Sequence, residues 1–254
     1  MIILLSPAKS LDFSKHDKDI VSTSTRFNEE SQQLINKLKK TSIKGLRELM
    51  KISKDLAVLN KQRYIDYDTE AFEQRGKEAV LAFNGGVYQG LEAKTLNEAA
   101  FDYTQDHLRI LSGLYGLVRP LDKIQEYRLE MGTQLPIRRK KNLYGFWGDK
   151  ITDLLNEDLS AIESETVVNL ASQEYFGAVN TKKVKGNIIT ANFKEMHNGT
   201  MKFISFNAKK ARGLMTRYAI DHSILDPQQL KNFDTEDYSF NEEMSTETEW
   251  MFTR

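Results

Sequence analysis

Four short apolar runs, each stopped abruptly by small, hydroxylated or cationic residues, restrict this chain more than any other feature. Residues 2–5 run into Ser6-Pro7-Ala8-Lys9-Ser10, and residues 108–111 run into Ser112-Gly113. Residues 167–170 run into Ala171-Ser172-Gln173-Glu174-Tyr175, and residues 201–206 into Asn207-Ala208-Lys209-Lys210-Ala211-Arg212-Gly213. Runs this short with β-branched content read as buried strands. Between them lie stretches of helical period. Residues 27–40 place Leu34, Ile35 and Leu38 on one face, residues 147–159 place Ile151, Leu154 and Leu155 inward, and residues 96–107 and 208–220 also read as helices. Asn198-Gly199 between residues 188–195 and 201–206 predicts one β-hairpin. Strands alternating with helices, plus one hairpin, predict a mixed central sheet covered by helices, an α/β fold.

At 254 residues the chain can build one large core, and no linker or composition break divides it, so a single domain over 1–254 is expected. The absence of cysteine excludes disulfides, thiolate metal sites, iron–sulfur clusters and a Cys nucleophile. No stretch approaches 18 consecutive apolar residues, and the first residues lack the basic flank of a secretory signal, so the reading is cytoplasmic with no membrane association. Formal net charge is zero, but residues 36–65 carry nine Lys and Arg against Glu48 and Asp55, a local net of +7. Residues 234–254 carry seven acids and one Arg, a net of −6, and read as a loosely docked acidic tail.

In open α/β sheets, ligands settle beyond the carboxyl ends of the strands, where backbone amides and helix starts converge. The residues that close the apolar runs therefore define a candidate crevice: Ser6, Lys9, Ser112, Arg119, Asp122, Arg128, Glu130, Asn169, Ser172, Lys209, Lys210 and Arg212. Lys9, Arg119, Arg128 and Arg212 suit a phosphate, while Asp122, Glu130 or Glu174 suits acid–base work if burial raises its pKa. Tyr88, Tyr115, Tyr127, Trp147 and Tyr175 stand beside these motifs and could stack on bases or simply fill the core. Buried ion pairs would explain the same charged residues without catalysis, and no catalytic residue is assigned. No P-loop, nucleophile elbow or dinucleotide fingerprint is present, and no cofactor is expected. None of His16, His107, His197 and His222 follows a Glu by three residues, so the di-iron pattern is missing and no metal site is expected. His107, before a strand, reads as a structural hydrogen-bonding residue.

The second candidate site is a pair of short helices around Ile52-Ser53-Lys54. Leu46, Leu49 and Met50 give the first an apolar face, and the second starts at Ser53 with Leu56, Val58 and Leu59 inward. Lys44, Arg47, Lys51, Ser53, Lys54, Lys61 and Arg63 surround the joint and could grip a nucleic-acid backbone without reading its sequence. A solvated, lysine-rich helical face is the alternative.

Longer runs add a resemblance. Ile3-Leu4-Leu5-Ser6-Pro7-Ala8-Lys9-Ser10-Leu11-Asp12, Ala82-Phe83-Asn84-Gly85-Gly86-Val87-Tyr88-Gln89-Gly90-Leu91, Ser112-Gly113-Leu114-Tyr115-Gly116, Arg119-Pro120-Leu121-Asp122, Tyr127-Arg128-Leu129-Glu130-Met131-Gly132 and Ala208-Lys209-Lys210-Ala211-Arg212-Gly213-Leu214-Met215 together resemble the YaaA family of bacterial peroxide stress resistance proteins. The resemblance runs from Met1 to about Phe240. It implies a cytosolic DNA-binding protein that limits iron damage under hydrogen peroxide, with a helix-hairpin-helix-like element and a positively charged cleft, and it brings no established enzymatic activity, which leaves the question of catalysis open. One departure is that a helix-hairpin-helix turn usually has a Gly between apolar residues, and Ile52-Ser53-Lys54 has none. The expected function is non-specific binding of double-stranded DNA through a basic cleft. The alternative is a nucleotide- or nucleobase-processing enzyme working in the strand-end crevice.

Overall fold

The computed structural model describes residues 1–16, 18 and 20–254. Its centre is an eight-stranded mixed sheet made of β1 (Ile2–Leu5), β2 (Leu108–Ser112), β3 (Gly116–Val118), β4 (Thr166–Asn169), β5 (Asn187–His197), β6 (Thr200–Lys202), β7 (Ser239–Phe240) and β8 (Glu249–Thr253), in the order β7-β8-β5-β4-β1-β2-β3. β1 lies inside the sheet and pairs in parallel with β2 (Ile3 opposite Leu108) and with β4 (Ile3 opposite Val168). All four residues of β1 are buried, as the unbroken apolar run requires of a strand covered on both faces. β5 runs parallel to both β4 and β8, whereas β7 and β3 close the two edges antiparallel to their neighbours. Beyond β5 the chain reverses through Asn198 (φ 51°) and Gly199 (φ 74°) and pairs antiparallel with β6, His197 opposite Thr200. β6 is shorter than the apolar run suggests. Phe206 belongs instead to the first turn of the helix Ser205–Asp221.

The acidic end is not a loose tail. Trp250 and Phe252 alternate with Glu249 and Met251 along β8, so the two rings enter the core (1% and 0% exposed) while Glu249 stays in solvent. The acids hide a period-two strand. Phe252 stacks on Phe193 at 5.6 Å, and Phe233 and Tyr238 complete that cluster.

Helices cover the sheet. α1 (Asn28–Lys40) buries Leu34, Ile35 and Leu38 as its period predicts. α2 (Ile43–Met50) and α3 (Lys54–Asp66) follow, joined by Lys51, Ile52 and Ser53. Their N-caps are Ser42, which accepts from Gly45 N–H at 3.1 Å, and Ser53, which accepts from Leu56 N–H at 3.2 Å. The inward face of α3 differs from the expected one. Ala57, Asn60 and Tyr64 are buried, whereas Leu56, Val58 and Leu59 are exposed. Tyr64 fixes that choice by donating its hydroxyl to the Arg128 carbonyl while Asn60 bonds back to Leu56 O. His107 Nδ1–H donates to the Met1 carbonyl (2.9 Å), a structural contact under the start of β1.

Candidate functional site

A crevice of about 380 Å3 opens beyond the carboxyl ends of β1 and β4. β1 is the point where the strand order reverses, with β2 on one side and β4 on the other, so the loops leaving β1 and β4 diverge and leave room between them. Ser6 and Ser172 bridge the gap: Ser172 N–H donates to Ser6 Oγ at 2.8 Å and the two hydroxyls meet at 3.2 Å. Tyr88 donates to Ser6 O at 3.0 Å, and its burial pushes the phenol well above its usual pKa, keeping it a neutral donor.

Gly90 and Gly213 bring two helices against this crevice. A Cβ on Gly213 would stand 1.8 Å from Val87 O, and one on Gly90 would stand 2.3 Å from Lys210 O. Only glycine permits the helices Gly86–Leu91 and Ser205–Asp221 to press backbone to backbone. That contact carries Lys209 and Arg212 into the crevice beside Gly85-Gly86. Arg212 is the unusual member. It makes no ion pair among the described residues, its buried Nε has no hydrogen-bond partner, and desolvation lowers its pKa. The carboxylates are committed elsewhere: Glu130 holds Lys9 at 2.6 Å and Arg128 at 3.0 Å, and Glu174 accepts from Gly132 N–H at 2.9 Å.

Of the twelve crevice residues expected from sequence, the structure brings Ser6, Lys9, Glu130, Ser172, Lys209 and Arg212 together. Arg128 lies behind them, bonded to Glu130. Arg119 and Asp122 do not belong. β2 turns back through Gly113–Tyr115 into antiparallel β3, with Val118 opposite Ile110, so the chain reaches Arg119 at the end of the sheet where the parallel strands begin. There Arg119 pairs with fully buried Asp122 at 2.9 Å. Ser112 is buried, accepting the Tyr115 N–H and bonding Tyr127 at 2.7 Å, and Asn169 Oδ1 caps Ala171 N–H at 3.0 Å. Lys210 is drawn off by Glu236. Asn84, Gly85 and Gly86 also line the crevice, and the breaker pair after a short apolar run is the sequence signal for them. Tyr175 and Tyr88 also line it, whereas Tyr115, Tyr127 and Trp147 are core.

A neighbouring hollow of about 430 Å3 includes Asp12, Tyr88, Gln89 and Lys94, but its lysine is neutralised by Asp12 at 2.7 Å. Among the described residues, no group of three or more His, Asp or Glu could hold a metal ion. His16 pairs with Glu78 at 2.9 Å, and His222 bonds Tyr218 O.

The two-helix unit separates its expected residues in a similar way. Lys44, Arg47, Lys51 and Lys54 are exposed and make no ion pair among the described residues. Lys51 sits in the left-handed region (φ 52°), the conformation for which glycine would be favoured at such a joint. Ser53 is the α3 cap, and the unit's acids, Glu48 and Asp55, are also exposed. Lys61 and Arg63 are not free. Lys61 donates to the Lys39 and Thr41 carbonyls at the end of α1, and Arg63 pairs with Glu126 at 2.6 Å.

No helix among the described residues is long and apolar enough to cross a membrane. A family model described as "Peroxide stress protein YaaA" matches residues 1–244. A UPF0246 protein of Neisseria meningitidis serogroup B is 51% identical over 256 residues, covering 100% of this chain and 98% of that protein. A UPF0246 protein of Ralstonia nicotianae is 51% identical over 254 residues (100% and 99%), and one of Saccharophagus degradans is 49% identical (100% and 99%). With its matched residues spanning the crevice, the two-helix unit and all of the sheet but β8, the chain belongs to the peroxide stress protein YaaA family.

Proposed function

We propose that this peroxide stress protein works in the cytoplasm by binding double-stranded DNA without sequence preference through α2 and α3. The observation that carries the reading is the set of four exposed cations, unpaired among the described residues, Lys44, Arg47, Lys51 and Lys54, on two capped helices joined by three residues. An unpaired exposed cation is free to replace the counterions of a phosphate backbone, whereas a paired one would first have to break its ion pair. Such contacts hold the duplex and carry no base information. The unit is a helix-hairpin-helix-like element in which Lys51 takes the place of the usual glycine. Tyr64 ties it to the carbonyl of Arg128, whose side chain pairs with the crevice residue Glu130.

Four phosphate contacts predict that the logarithm of duplex affinity falls with the logarithm of salt at a slope of about −3 to −4. Fluorescence anisotropy of mixed-sequence duplexes across 50–200 mM salt measures it. A flat response, or affinities differing by orders of magnitude between sequences, contradicts the reading.

A further inference from the structure

The cations of α2–α3 do not account for Arg212. Arg212 is largely shielded from water, has a buried Nε without a partner, and faces a crevice whose acids already hold other groups. A desolvated guanidinium with no counter-charge is costly, and native proteins keep such a group where an anion completes it. Its planar fork suits two oxygens of one phosphate. Lys209, one helical turn earlier and exposed, adds a second positive charge, and Phe206 stands a further turn back. Phe206 is 68% exposed, unusual for a ring that has the choice of a core, and its carbonyl lies 3.9 Å from where a Cβ on the crevice residue Gly86 would sit. Phe206, Lys209 and Arg212 thus recur at one-turn spacing along the same helix, with Lys209 and Arg212 lining the crevice and Phe206 just outside its lining. The volume of about 380 Å3 lies within the range of small-molecule sites.

We propose that the strand-end crevice binds a nucleoside monophosphate, its terminal phosphate held by Arg212 and Lys209 and its base laid on Phe206. The phosphomonoester belongs either to a free nucleotide or to the phosphorylated end of a DNA strand. None of the α2–α3 cations takes part, so this site stands or falls separately from duplex binding.

Isothermal titration calorimetry on the full chain tests it, with the four common nucleoside 5′-monophosphates, the matching nucleosides, inorganic phosphate, and single-stranded octamers with and without a 5′-phosphate. At least one monophosphate should bind tenfold or more tightly than its nucleoside and than phosphate. Arg212→Gln should lower that affinity at least tenfold while leaving the melting temperature unchanged or higher, because no partner is lost. Phe206→Ala, at an exposed position where folding is safe, should weaken the monophosphate and leave phosphate unaffected. If the phosphorylated octamer binds more tightly than the free monophosphate, the natural ligand is a strand end; if it binds more weakly, the ligand is a free nucleotide. Equal affinity for nucleoside and monophosphate, no heat from any monophosphate at millimolar concentration, or unchanged binding in the Phe206→Ala protein overturns the proposal.

Discussion

Lys54 and Lys61 stand two turns apart on α3 with the same charge and opposite employment. Lys54 extends into solvent, whereas Lys61 reaches across to two carbonyls at the end of α1, where a cation also meets the negative end of the helix dipole. Lys61→Ala should therefore cost about 1–2 kcal/mol, and Lys54→Ala should stay within about 0.5 kcal/mol, both read from urea denaturation. Asp158 is a sharper case. It accepts from Arg26 at 2.5 Å and from buried Arg109 at 2.6 Å. Burial pushes its carboxyl pKa up, but the bonds from Arg26 and Arg109 outweigh that and hold it below the usual value. A depressed folded pKa contributes stability that is present above the unfolded value of about 3.9 and is lost as pH falls through the folded one. Asp158→Asn should cost about 3–5 kcal/mol between pH 5 and 7 because Arg109 loses its counter-charge. The gap to the wild-type protein should narrow below about pH 4, as denaturation at a series of pH values would show. At this scale residue types were legible and partners were not. Nothing near Lys210 in sequence announces Glu236, and nothing near Arg63 announces Glu126.

Among elements, the helices Gly86–Leu91 and Ser205–Asp221 depend on two glycines, and the crevice depends on those helices. Gly213→Ala should destabilise the protein by about 3 kcal/mol or more, since backbone rather than a flexible side chain blocks the new methyl. Any ligand affinity that needs Lys209 and Arg212 should fall with it; equal stability of variant and parent would show that the helices are not locked. β1, β2, β4 and β5 were legible because their apolar runs are short and sharply ended, whereas β3, β7 and β8 were not. The face of α3 was not. Its buried positions do recur at helical spacing, but they are Ala57, Asn60 and Tyr64, while the aliphatic Leu56, Val58 and Leu59 point to solvent. Periodicity read from aliphatic residues alone therefore rotates the helix. Arg119 was misplaced for a topological reason, because one antiparallel return moved it to the far end of the sheet.

As a whole molecule, the protein closes its sheet with its acidic end. β8 adds Trp250 and Phe252 to the aromatic cluster, and Arg254 joins Glu195 at 3.1 Å and Glu236 at 3.3 Å. Trp250→Ala should cost about 3–5 kcal/mol, and removal of residues 239–254 should abolish cooperative thermal unfolding, which a dispensable tail would leave intact. The α/β class and the strand-end location of a crevice followed from the alternation of runs. The tail's place did not, because seven acids masked its period of two. In the proposed function, the exposed cations of α2 and α3 hold duplex DNA. The most direct measurement compares the wild-type protein with the Lys51→Glu/Lys54→Glu double variant by anisotropy on several unrelated duplexes, with circular dichroism as the control for folding. Two lost phosphate contacts replaced by repulsion predict a uniform fall of at least tenfold across all sequences and a salt slope shallower by about two. A folded double variant that binds every duplex as tightly as the parent contradicts the account.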